Sequence, residues 1–321
     1  MAELSHRRVE ANGIGLHIAE AGRGPLVLFC HGFPETSHSW CHQLRDVAAA
    51  GYHAVAPDMR GYGLSDRPTE IDQYTIFHLV GDVVALVSAL GASSAVIVGH
   101  DWGAPVAWTS ALLRPDLFRG VVGLSVPYRP RGSTPPTALM PRTDAAEFYQ
   151  LYFQSPGVAE TELECDVRLS LRKILTSGFS RNADGDGIGM VRRGQGFLDA
   201  MTPPPELPPW LTAGDLDAFA TAFTHSGFAG GLNWYRNVDR NWSLMAPFTH
   251  RPIQTPALFM VGDRDLVYRL PGMAKSVATL SDCVPKLTET IVLPGCGHWI
   301  QQERANEVTA ALLRFLGGIY G

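Results

Sequence analysis

The stretch "VIVGHDWGAPVAW" (96–108) decides the fold. Val96, Ile97 and Val98 form a β-branched apolar run, as in a strand buried on both faces. From Ala104 the pattern changes to that of a helix. A chain that passes from strand to helix without a loop must turn sharply. Gly99 and Gly103 flank Asp101 at minus two and plus two, and let the two elements approach closely. Turns of this build present a nucleophile beside a helix N-terminus, with the N–H of the next residue, Trp102, as an oxyanion donor. The plainer reading of Asp101 is an ordinary helix N-cap.

Working outward, residues 26–128 alternate strand and helix signals. "LVLFCHG" (26–32), "YHAVAPD" (52–58) and "GVVGLSV" (120–126) are apolar runs of strand length. "WCHQLRDVAAAG" (40–51) and "TIFHLVGDVVALVSALG" (75–91) have helical spacing and end at glycine. Alternation of this kind predicts an α/β fold, with a mostly parallel sheet flanked by helices. Residues 129–251 break the pattern with Pro-rich stretches and helical pieces. Alternation then resumes with "PALFMVG" (256–262), "GMAKSVATL" (272–280), "ETIVLPG" (289–295) and "NEVTAALLRFLGG" (306–318). The expected organisation is a core of 1–128 and 252–321, interrupted by a helical cap over 129–251. Ligand sites in such cores lie beyond the carboxyl ends of the strands, where an insertion can form a lid.

The 321 residues are 45% hydrophobic and 18% charged, which is ordinary globular composition. A net charge of −5 leaves no electrostatic footprint for nucleic acid or an anionic membrane. No run reaches the ~18 apolar residues of a membrane span. The N-terminal stretch lacks the apolar centre of a signal peptide. Five scattered cysteines (30, 41, 165, 283, 296) suit free thiols, so a cytoplasmic location is expected. Cys296, two residues from His298, reads best as a small buried filler. "NADGDG" (182–187) looks like the start of a calcium loop, but the twelfth position carries Arg193 where a bidentate Glu is required, so a solvated turn is expected.

Three further motifs supply partners for Asp101. "CHGFPE" (30–35) ends the first long apolar run. Its turn through His31, Gly32, Phe33 and Pro34 can aim the Phe33 N–H at the point reached by that of Trp102. "PGCGHWIQ" (294–301) places His298 after the last strand. "VGDRDLV" (261–267) places Asp265 after the strand before, with Asp263 as its rival. The order Asp101, Asp265, His298 matches nucleophile, acid and histidine of the α/β-hydrolase arrangement.

Taken together, HGFPE, GHDWGA (with Gly99, His100 and Gly103), GDRD and GCGHW resemble the epoxide hydrolase branch of the α/β-hydrolase superfamily. In the insertion, "FYQLYFQSPGVAE" (148–160) and "GLNWYRNVDRNW" (231–242) resemble the segments in which that family carries epoxide-activating tyrosines. The resemblance implies Tyr152 and Tyr235 for that role, with Tyr149 as the rival to Tyr152. It runs from Val9 to about Phe315 and implies an epoxide and water as partners, with no cofactor and no metal. Trp102, Phe33, Trp234 and Phe153 are the candidate substrate-lining residues. A homodimer is one option for assembly.

The chemistry explains the carboxylate. Asp is ionised at neutral pH, with a reference pKa of about 3.9, and attacks saturated carbon without a base. Its adduct is an ester, which water activated by His298 can cleave at the carbonyl. A Ser ether would offer no such carbon. The rivals are a haloalkane dehalogenase of the same superfamily and a ligand-binding relative without catalysis. A dehalogenase also uses Asp, but its halide wants side-chain N–H donors, and Phe33 offers none. A non-catalytic relative should have lost part of the set.

Overall fold

The computed structural model describes residues 3–177 and 188–321. The calcium-like stretch 182–187 lies outside them. The chain opens with an antiparallel hairpin, β1 (Ser5–Ala11) and β2 (Ile14–Ala21), in register Ala11 to Ile14. Its turn is Asn12–Gly13, with φ of 52° and 76°. Two positive φ values suit a tight hairpin turn whose twist matches the strands.

The alternating unit follows: β3 (Leu26–Cys30), α1 (Cys41–Ala49), β4 (His53–Pro57), α2 (Ile76–Ala89), β5 (Ala95–His100), α3 (Gly103–Leu113) and β6 (Phe118–Leu124). The intervening segment holds a small antiparallel pair, β7 (Ala146–Phe148) with β8 (Met190–Arg192). Its helices are α4 (Pro136–Leu139), α5 (Tyr149–Tyr152), α6 (Val158–Cys165), α7 (Val167–Ser177), α8 (Ala213–Ser226), α9 (Ala229–Arg236) and α10 (Val238–Leu244). The core closes with β9 (Ala257–Gly262), α11 (Met273–Ala278), β10 (Leu287–Leu293), α12 (Ile300–Glu303) and α13 (Ala305–Tyr320).

Among the described residues, eight strands make the main sheet in the order β1-β2-β4-β3-β5-β6-β9-β10. From β4 to β10 every pairing is parallel; β2 meets β4 antiparallel. This is the α/β fold expected from the alternation. Successive side chains of β3 go to opposite faces, as the strand period requires. Val27 and Phe29 pack with Leu44 and Val47 of α1 and Leu312 and Leu316 of α13. Leu26, Leu28 and Cys30 pack on the other face with Leu79 and Val83 of α2 and Val106 and Ala107 of α3. Strand order reverses around β3, between β4 and β5. The crevice at such a reversal is where ligands bind in open α/β sheets. Both the His31–Glu35 turn and Asp101 lie at its carboxyl edge.

The described residues of 125–256 add no strand to the main sheet, and β7–β8 is a separate antiparallel pair where only helical pieces were expected. The α8 helix starts in a reciprocal cap: Asp215 N–H donates to Thr212 Oγ1 at 3.1 Å, and Thr212 N–H returns to Asp215 Oδ2 at 3.0 Å. Asp215 Oδ1 also meets His38 Nε2 at 2.8 Å, which ties this helix to the loop after β3.

Candidate active site

Asp101 has φ of 49°, the left-handed region that non-glycine residues rarely occupy. The turn is tight enough to exclude side chains at both neighbours. A Cβ on Gly99 would lie 2.1 Å from Gly103 O, and one on Gly103 would lie 2.0 Å from Cys30 O. The strained carboxylate is thereby held at the end of β5, with Trp102 at the start of α3. Phe33 N–H donates to Asp101 Oδ1 at 2.8 Å. Oδ2 faces His298 Nε2 at 3.5 Å, and His298 Nδ1 meets Asp265 Oδ1 at 2.9 Å. Asp265 is fully buried and also accepts from Val267 N–H at 2.7 Å. Asp263 is exposed and holds Gly295 N–H at 2.8 Å, away from the imidazole.

Burial by itself would discharge His298. The charge of Asp265 and the hydrogen bonds to Asp101 and Asp265 outweigh it, and the imidazole titrates well above its ordinary value. The ring lies between two carboxylates, both of which favour its charged form.

A buried polar layer supports the turn from below. His31 accepts from Met59 N–H through Nε2 at 2.9 Å, so its Nδ1 carries the proton and donates to Gly32 O at 2.9 Å. Glu35 takes Gly32 N–H at 2.9 Å, His100 Nδ1 at 2.7 Å and the Gln301 amide at 2.7 Å. His100 Nε2 donates to the carbonyl of His298 at 2.8 Å. One fully buried carboxylate thus joins the oxyanion turn to the histidine loop. Burial opposes its charge, but the adjacent His100 charge overrides that and pushes Glu35 down to about 2.

The insertion contributes phenols, but not both of those expected. Tyr235, on α9, stands 5.1 Å from the Trp102 ring and 5.5 Å from Phe33. Tyr152 does not join it. Its hydroxyl donates to Glu162 Oε2 at 2.8 Å, on the outer side of the cap. Tyr149 is the buried one, with its ring 6.1 Å from that of Tyr235. Burial, followed by the charges of Asp101 and Asp265, raises the Tyr149 phenol; burial, then Tyr149 and Asp101, raises Tyr235. Of the two candidate phenols of α5, it is therefore Tyr149 and not Tyr152 that stands beside Tyr235. The physical reason lies in the surroundings of α5, a single turn: Glu162 takes the Tyr152 hydroxyl, while Phe153, Phe197 and Tyr235 enclose the Tyr149 ring.

Comparison with known proteins bears on the whole chain. Residues 25–166 match the family model for the alpha/beta hydrolase fold. Epoxide hydrolase A of Mycobacterium tuberculosis is 42% identical, covering 99% of this chain and 99% of its own. Epoxide hydrolase 2 of Siraitia grosvenorii is 41% identical over 98% of this chain and 99% of its own. Among solved structures, an epoxide hydrolase from an endophytic Streptomyces superposes with a TM-score of 0.94 at 45% identity, covering 98% of this chain and 96% of that one. The chain belongs to the epoxide hydrolase family.

In this member of the epoxide hydrolase family the candidate lining residues divide into two sets. Phe33 and Trp102 keep surface facing Asp101 and Tyr235, Trp102 being only half-buried. Trp234 and Phe153 have none, each at 0% exposure, so neither offers a substrate a face. The Trp234 indole N–H donates to Arg60 O at 3.2 Å. Phe153 packs behind the two phenols, 5.5 Å from Tyr149 and 5.1 Å from Tyr235. Cys296 is fully buried, as a filler would be. Among the described residues, no helix is long and apolar enough to cross a membrane.

The roles of Glu35 and Gln301 were not drawn from the sequence, although both sit inside motifs that were quoted, HGFPE and GHWIQ. A charged residue just after the first apolar run was the available signal for Glu35, and it says nothing about which partner lies beneath the turn.

Proposed function

We propose that the protein opens an epoxide to a vicinal diol through a covalent ester on Asp101, with residues 129–251 acting as the cap over the reaction. The observation that carries this is the placing of one carboxylate between three kinds of partner. Phe33 N–H lies at Oδ1, 2.8 Å away; His298 lies at Oδ2, 3.5 Å away; two phenols stand beside it in the apolar cap.

In the first step Oδ2 attacks an epoxide carbon and the ring C–O bond breaks. Oδ1, already held by a backbone donor, stays as the carbonyl oxygen of the ester. The leaving oxygen gains a proton from Tyr149 or Tyr235. Both phenols are raised, so both are still protonated at working pH. Esterification removes the Asp101 charge, one of the two that hold the His298 proton. The imidazole pKa falls, its proton passes to the tyrosinate left by the first step, and the ring becomes a base. In the second step His298, oriented by Asp265, takes a proton from water, and hydroxide adds to the Asp101 carbonyl carbon. The oxyanion on Oδ1 is met by the N–H groups of Phe33 and Trp102. Collapse returns Asp101 and releases the diol, with one oxygen from the carboxylate. The free cysteines suit a cytoplasmic enzyme.

A single turnover with excess enzyme in ¹⁸O water, using styrene oxide, tests the route. The first diol should be unlabelled, because its new oxygen comes from Asp101. Fully labelled diol in that turnover overturns the ester. A chloroalkane offered beside the epoxide separates the dehalogenase reading: halide release without diol formation would favour it.

A further inference from the structure

We infer that Glu162, on α6, is a positioning residue for ring opening, and that Tyr152 is part of the same device. This rests on the assignment of Tyr149 as a proton donor. Three donors converge on the Glu162 carboxylate: Tyr152 OH at 2.8 Å, Phe197 N–H at 3.0 Å and Leu198 N–H at 2.7 Å. Two are consecutive backbone amides, so the carboxylate fixes the path of the 196–198 turn. A Cβ on Gly196 would fall 2.2 Å from Glu162 Oε1, so the turn passes against the carboxylate itself. The turn delivers one side chain inward. Phe197 is 3% exposed, with its ring 5.7 Å from Tyr149 and 4.9 Å from Phe153. Tyr149 is gripped on its other flank, where its N–H donates to Gly189 O at 2.8 Å.

Phe197 is thus a wall for the Tyr149 phenol, and Glu162 is what holds the wall. Tyr152 closes the carboxylate from the far side. Proton donation tolerates little misplacement; a shift of ~1 Å can slow a reaction by about 10²-fold. Loss of Glu162 should therefore slow the step that uses Tyr149 and spare the step that uses His298.

The test is stopped-flow Trp fluorescence with excess enzyme, which resolves ester formation from ester hydrolysis, with rates taken per titrated active site. Tyr149→Phe should slow ester formation by about 10²-fold. Glu162→Ala should slow it by about 10-fold, Glu162→Gln by less, since one acceptor oxygen remains, and Tyr152→Phe by about 2-fold. Ester hydrolysis should stay within about 2-fold of wild type in all four. A purely structural loss lowers the titrated fraction and not the ratio of the two rates. Should Glu162→Ala fail to fold, the order of Glu162→Gln and Tyr152→Phe carries the same comparison. Wild-type ester formation in the Glu162 variants, with Tyr149→Phe slow, overturns the positioning role alone. So does equal slowing of both steps. Wild-type ester formation in Tyr149→Phe removes the acid role from Tyr149 and the positioning role with it.

Discussion

The core and the cap hold their functional side chains in different ways. In the core each one stands at the end of a strand: His31–Glu35 after β3, Asp101 after β5, Asp265 after β9 and His298 after β10. The sheet sets their spacing, and a buried layer of Glu35, His100 and Gln301 ties the loops together. In the cap the phenols stand on short helices, and Tyr149 is placed by aromatic packing with Phe153 and Phe197. Strand ends make position a consequence of topology. A one-turn helix leaves it to local packing.

The comparison breaks most sharply at Asp101. Asp101→Ala should lower diol formation by at least about 10⁴-fold, since no other group supplies the nucleophile. Product assays retaining more than a hundredth of wild-type activity would end the nucleophile assignment. Next in size is His298→Gln, expected to lose about 10³-fold in turnover while still forming the ester. Intact-protein mass should show the adduct; its absence counts against assigning His298 to the second step. In the cap, Tyr149→Phe should slow turnover by about 10²-fold and Tyr152→Phe by only about 2-fold. Reversal of that order would return the phenol role to Tyr152.

Two smaller effects sharpen the electrostatics. Asp101→Asn removes one of the charges that raise His298, so its imidazole should titrate lower than in the wild type, as read by NMR of the ring protons. An unchanged titration would mean Asp265 alone sets the shift. Glu35 is held down to about 2 from a reference of 4.5, so its contribution to stability is complete above that reference value and lost as pH falls toward 2. Urea unfolding between those limits should show a steeper acid loss in the wild type than in Glu35→Gln. Parallel curves would remove Glu35 from the account.

How much was legible differs by element. The runs 26–30, 95–98, 121–124 and 257–262 at the heart of β3, β5, β6 and β9 are apolar throughout because both faces are covered, and continuous runs of this kind are readable. The β1–β2 hairpin is hard to read, although Asn12–Gly13 is a strong turn signal, because β1 carries Arg7, Arg8 and Glu10 outward and buries only Val9 and Ala11. The β7–β8 pair is only three residues a side, its strands lie far apart in the chain, and it carries no period to detect. Trp234 and Phe153 read as lining because they are large and apolar. Size and apolarity are equally the marks of packing, and only their full burial separates the two.

The sequence by itself determined which side chains the core brings to its strand ends. A carboxylate between two glycines at a strand-to-helix turn, followed in order by an acid and a histidine after later strands, has few other uses. It also determined that the cap carries tyrosines. Which tyrosine serves was decided only by the tertiary structure. Tyr149 and Tyr152 are of one type, three residues apart, and nothing local distinguishes them. The distinction arises where α5 meets its surroundings: Glu162 takes one hydroxyl outward, while Phe197, Phe153 and Tyr235 enclose the other ring. Those partners come from 10 to 86 positions along the chain in the case of Glu162 and Tyr235, and only folding brings them together.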